Sequence, residues 1–204
     1  MVRNDKTPLG CYIIIFIFLF IFVAISNCND NERNAVKQKE LEKSNQKLNA
    51  YVKKFDINFE EMTKNIENVN HENIQKSIPK KPIIIFQKRT IDKKNSISFN
   101  YYFNYRLEDK FMSFKNSEIK TIVLISDTLI NIGHYSGTQK IGFKNNIVIS
   151  YIDKKTNRII FKDVIEGEEP PQEIKYRERD KFDEVYGKRP SEEEIFKRIL
   201  INIK

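Results

Sequence analysis

The chain has no tryptophan, only two histidines, two cysteines and six glycines among 204 residues. Each shortage removes a class of chemistry. Cys11 and Cys28 both lie in or beside a single apolar run, so the remainder has no thiol and no internal disulfide to staple it. That remainder must be stable through its own core. His71 and His134 stand far apart in the chain, and no His, Cys and carboxylate set recurs at ligand spacing. No zinc or other transition-metal site is therefore expected, and no cofactor. Without a basic recognition helix or a glycine-rich aromatic sheet motif, no nucleic-acid partner is expected either.

What is present begins with an uncharged run over residues 9–26, LGCYIIIFIFLFIFVAIS. About 17–25 apolar residues are needed to cross a bilayer as a helix, and a signal-peptide core usually has about 7–15. The run is rich in Ile and Phe, whose transfer into lipid is favourable. Two readings stand: an anchor that stays, or an export signal cut before Cys28, whose thiol then carries lipid. Asn27 departs from the small residue usual before a lipidated cysteine. Either reading ties the polar bulk to a lipid bilayer. A short tail over 1–8 precedes the run, and its signal-like layout favours an extracytoplasmic C-terminal body. The first 28 residues carry two basic groups and one acidic group, so a charge of +7 remains on the body. Lysines there are interspersed with carboxylates, as on a solvated face.

Residues 29–76 read as a helical spacer, with a helix over about 32–70. Leu48, Val52, Phe55, Phe59, Met62, Ile66 and Val69 are spaced alternately by four and three, an a/d seam on one helical face. The seam predicts either a parallel homo-oligomeric stalk or an amphipathic helix lying on its own domain. Two prolines within 77–82 end it.

The apolar period then changes to two, and residues 83–204 read as a small α+β domain. Expected strands are 83–88, a long strand over 97–107, 119–125, 143–152 and 158–165. The last two are joined by a hairpin connection at 153–157. Residues 130–142 read as a glycine-containing loop with room for a short strand at its start, and 173–187 as an exposed connection. Pro190, Ser191 and Glu194 set up a capping box before the stripe Ile195, Phe196, Ile199, Leu200 and Ile203. That helix should cover a small, mainly antiparallel sheet.

Several short patterns stand within 119–199: Tyr135-Ser136-Gly137, Ile152-Asp153 with Thr156 and Ile159, Gly167 with Pro170-Pro171, and Gly187-Lys188-Arg189-Pro190-Ser191 with Ile195. Together they resemble a widespread uncharacterised bacterial domain. The resemblance implies an exported or membrane-tethered setting in the cell envelope and supplies no catalytic role.

For chemistry, His134 with Asp127 or Ser136 is the one constellation worth weighing. Its spacing is not that of a nucleophile elbow. Tyr102, Asn104 and Arg106, on one face of the expected long strand, form a candidate contact surface, joined by His134 and Tyr135. The preferred reading is a membrane-tethered protein that presents a small α+β domain to an envelope protein or polymer. The rivals are an extracytoplasmic enzyme with a site near His134 and a structural oligomer built on the spacer.

Overall fold

The structure is a computed structural model that describes residues 36–69, 74, 76–91, 94–174 and 184–203. The apolar run 9–26, Cys28 and His71 lie outside these residues. No helix among the described residues is long and apolar enough to cross a membrane. The chain divides into two units at Lys53. In the first unit, residues 36–52 form helix α1, on which Val36 and Leu41 are exposed.

The second unit is α+β. Helix α2 (Phe59–Glu67) precedes strands β1 (Ile83–Ile91) and β2 (Lys94–Phe99) and the short helix α3 (Tyr101–Arg106). Strands β3 (Thr121–His134), β4 (Ile141–Asp153) and β5 (Arg158–Ile165) come next, then the short β6 (Glu184–Tyr186) and helix α4 (Glu192–Asn202). The sheet order is β2-β1-β3-β4-β5, with β6 added to β4. It is mixed: β1 runs parallel to β3 and β6 parallel to β4, while the other pairs are antiparallel.

Side chains alternate across a strand, so the register assigns each face. Ile84, Phe86, Ile122, Leu124 and Ile152 share the face that carries α2, where Phe59 and Phe86 have ring centroids 6.4 Å apart. Ile83, Ile85, Val123, Ile125, Ile149 and Tyr151 share the opposite face, under α3 and α4. There Phe103 stacks on Phe196 at 5.8 Å, and Asn202 donates to the Tyr151 hydroxyl and to Asp163. Three layers result. Ser191 caps the helix as expected, its Oγ accepting from the Glu194 amide at 3.2 Å, and Ile195, Phe196, Ile199 and Ile203 are buried.

Several expectations need correction. The helix predicted over 32–70 does not run through: residues 53–58 leave the helix, and Asp56 instead bridges to Lys115. Asn58 starts α2 afresh by accepting from the Glu61 amide, an N-cap with Glu60 and Glu61 behind it. The seam is divided accordingly. Leu48 and Val52 lie on α1. Phe55 packs edge-on against Phe59, Phe99 and Phe114, and Met62, Ile66 and Val69 are buried in the second unit. Phe59, Met62 and Ile66 thus lie on a short amphipathic helix that packs within its own unit, with Phe55 and Val69 flanking it.

The long strand over 97–107 ends at Phe99. Asn100 turns the chain, and its side chain accepts from the Phe103 amide to open α3. Phe103 and Leu107, which alternate with polar residues as a strand would have them, are buried as an i, i+4 helical pair. Residues 130–142, read as a loop, are instead the far ends of β3 and β4 with a turn between them.

Candidate functional site

Strands β3 and β4 run on past the helices as a hairpin. The ladder shifts register between Asn131 and Gly133, where Gly133 has φ 131° and its amide donates to Asn131 Oδ1 at 2.8 Å. Such a bulge bends the strand and re-aims the side chains beyond it. Tyr135 to Thr138 then form a tight turn closed by the Thr138 amide on the Tyr135 carbonyl. Gly137, at the third position with φ 74°, supplies the left-handed conformation that other residues adopt at a cost. The Tyr-Ser-Gly element is thus the tip of a hairpin.

A strap over residues 167–174 crosses this end. It is seated by close backbone approach. A Cβ on Gly167 would lie 2.2 Å from the Asn145 carbonyl oxygen, and one on Gly187 would lie 1.9 Å from that of Glu168. The Glu168 amide donates to Lys188, the Gly187 amide donates to Phe143, and β6 pairs with Ile141–Phe143. Pro170 closes over Gly142, where an added Cβ would meet its ring at 3.0 Å. The Tyr135 hydroxyl donates to the Pro171 carbonyl and latches strap to hairpin. Between them lies an open cleft of about 690 Å³, within the span of about 300–1,000 Å³ usual for ligand sites. His134, Tyr135, Ser136 and Thr138 line one side, and Glu169, Pro171 and Glu173 the other.

His134 and Ser136 therefore share the cleft, but Asp127 does not. It lies seven residues along β3, about 23 Å away at strand rise. Arg189 holds the Asp127 carboxylate at 2.6 Å and bonds Glu192 at 2.7 Å. Burial opposes the Arg189 charge, yet these two carboxylates outweigh it and raise the guanidinium pKa. Among the described residues no carboxylate bonds His134, and the structure does not bring Asp127, His134 and Ser136 together as the acid–base chain of nucleophilic catalysis would need. No three His, Cys, Asp or Glu gather as a metal would require among the described residues.

The other expected surface is rearranged by α3. Asn104 is buried, and its amide donates to the Ile85 carbonyl and accepts from the Ile85 amide, extending the β1 ladder where β2 has ended. Arg106 bonds Glu193 at 2.6 Å and lies 4.3 Å above the Phe196 ring, so it clasps α3 to α4. The Glu193 bond is the main cause that raises its pKa. Tyr102 and Tyr105 remain exposed, with Tyr105 stacked on Tyr101 at 5.5 Å.

The remaining motif residues are joints. Asp153 accepts from the Thr156 amide and hydroxyl, and Asn157 adopts φ 52° to close the β4–β5 hairpin. The strap carboxylates Glu169 and Glu173 read in the sequence as solvated charge, because in the chain they merge with a general run of surface charge. Their neighbours Pro170 and Pro171 are the available signal for a fixed strap. Comparison of the chain with protein-family models, with curated proteins and with solved structures gives no match.

Proposed function

We propose that this chain is a membrane-tethered contact protein of the cell envelope. Residues 9–26 hold it to the bilayer as a retained anchor or, where they are cut away, lipid on Cys28 does so, and the α+β unit stands on the extracytoplasmic side. The contact site is the hairpin–strap cleft. The supporting observation is that an open cleft of about 690 Å³ is lined by the exposed apolar Ile132, with Leu129 and Ile130 also exposed further along β3. Exposed apolar groups beside a preformed concavity suit association, and a monomer leaves few such patches uncovered without use.

Photocrosslinking in intact membranes tests this. A photoreactive residue at Ile132 should give a discrete protein or polymer adduct, while one at Lys155, on the β4–β5 turn, should not. Absence of any adduct at position 132 would refute the contact site. Recovery of the full chain from a detergent-free soluble fraction would refute the tether. A Ser136→Cys thiol that resists a membrane-impermeant reagent in intact cells would reverse the orientation.

A further inference from the structure

The chain carries a net +8, yet among the described residues the cleft lining contains two carboxylates, Glu169 and Glu173, and no lysine or arginine. The neighbouring acids are already engaged: Glu166, just before the strap, with Lys144 at 2.6 Å and Glu168 with Lys188 at 3.4 Å. Among the described residues, Glu169 and Glu173 have no such cation. Both are exposed.

The opposite wall supplies the half-buried Tyr135 ring. An aromatic face attracts a cation electrostatically, and more so as water leaves. The Tyr135 hydroxyl is occupied by Pro171, which fixes the ring. Gly133 and Gly137 border the cleft without side chains, and open space lies where their Cβ atoms would be. A ligand backbone can therefore approach the hairpin closely.

We propose that the cleft takes an extended, lysine- or arginine-bearing peptide segment of a partner protein, with a cationic side chain lodged between Tyr135 and the Glu169 and Glu173 carboxylates. This rests on the contact function proposed above and names its partner class. A peptide rather than a small amine is favoured because the cleft is open, continuous with the apolar Ile132, and larger than one amine requires. An anionic envelope polymer would meet like charge at this site.

The test uses the full chain in detergent micelles and a dye-labelled hexapeptide of alternating lysine and serine, monitored by fluorescence anisotropy. Binding is expected, with roughly fivefold to tenfold loss in a Glu169→Gln/Glu173→Gln double variant, the scale of two exposed ion pairs. The corresponding glutamate–serine peptide should not bind at the cleft, although the overall charge of the chain favours it. Unchanged affinity in the double variant would overturn the proposal. So would equal affinity for spermidine, which would make the site one for small amines. An unaltered melting temperature of the double variant shows that the fold is retained, since both side chains are exposed. The two readings fail separately. If the photoadduct at position 132 persists undiminished in the double variant, the contact site stands and its preference for cations falls.

Discussion

In β3, residues 121–125 are buried and residues 127–134 are exposed. Composition does not separate the halves: Ile122, Val123, Leu124 and Ile125 lie in the first, Leu129, Ile130 and Ile132 in the second. The difference comes from neighbours. The first half is flanked by β1 and β4 and covered by helices on both faces, but β1 pairs with β3 only as far as Ser126. Beyond that point, among the described residues, β3 has β4 alone paired with it. Equal hydrophobicity thus builds a core at one end of a strand and an exposed surface at the other.

The sharpest test of this contrast is a matched truncation. Ile125→Ala should cost about 2–5 kcal/mol in urea unfolding, because it opens a cavity in a close-packed layer. Ile130→Ala should stay within about 0.5 kcal/mol. Equal costs would erase the distinction. Next, Asn104→Leu should cost about 1–3 kcal/mol, since it leaves the buried Ile85 amide without an acceptor. At the joint that seats the strap, Gly187→Ala should cost about 1–3 kcal/mol or more, because its Cβ would meet the Glu168 carbonyl oxygen. It should also disturb binding at the cleft, whereas Ile125→Ala should leave cleft affinity per folded molecule unchanged.

The smaller effects depend on pH. Burial first, with Asp163 adding to it against the Asn202 bond, raises the Tyr151 pKa. The folded state then keeps a proton that the unfolded chain loses above about pH 10. Stability should therefore be full below that pH and fall as pH rises through the folded pKa. Tyr151→Phe should flatten that alkaline slope. The Glu166 pKa is lowered by Lys144, and that of Glu118 by the Ser113 hydroxyl and then by Lys115. Their contributions are present above the ordinary carboxylate range, near pH 4, and fall away as pH drops through the depressed folded values. Glu118→Gln and Glu166→Gln should each slightly reduce the acid slope in a pH series of melting temperatures.

The sequence made the α+β class, the β4–β5 hairpin and α4 readable, because each carried local chemistry: Asp153 and Asn157 for the turn, Ser191 and Glu194 for the cap. It misled where two periods coincide. Phe99, Phe103 and Leu107 fit both a strand face and a helical i, i+4 row, and Asn100 decides between them by capping. The seven-residue spacing from Leu48 to Val69 likewise continues through a turn at Asp56 and Asn58, which carry the break. The parallel pairing of β1 with β3 left no local mark, since it joins residues almost forty apart. At the cleft, His134 and Tyr135 were visible as a group, but the strap that faces them depends on glycine contacts that only the folded backbone displays.

Helix α4 closes a layer over strands made much earlier in the chain. Asn202 bonds Tyr151 and Asp163, and Phe196 seals Phe103. During synthesis, strands β1 to β5 emerge before this cover exists, so the nascent segment keeps one greasy side bare until residue 203 has been made.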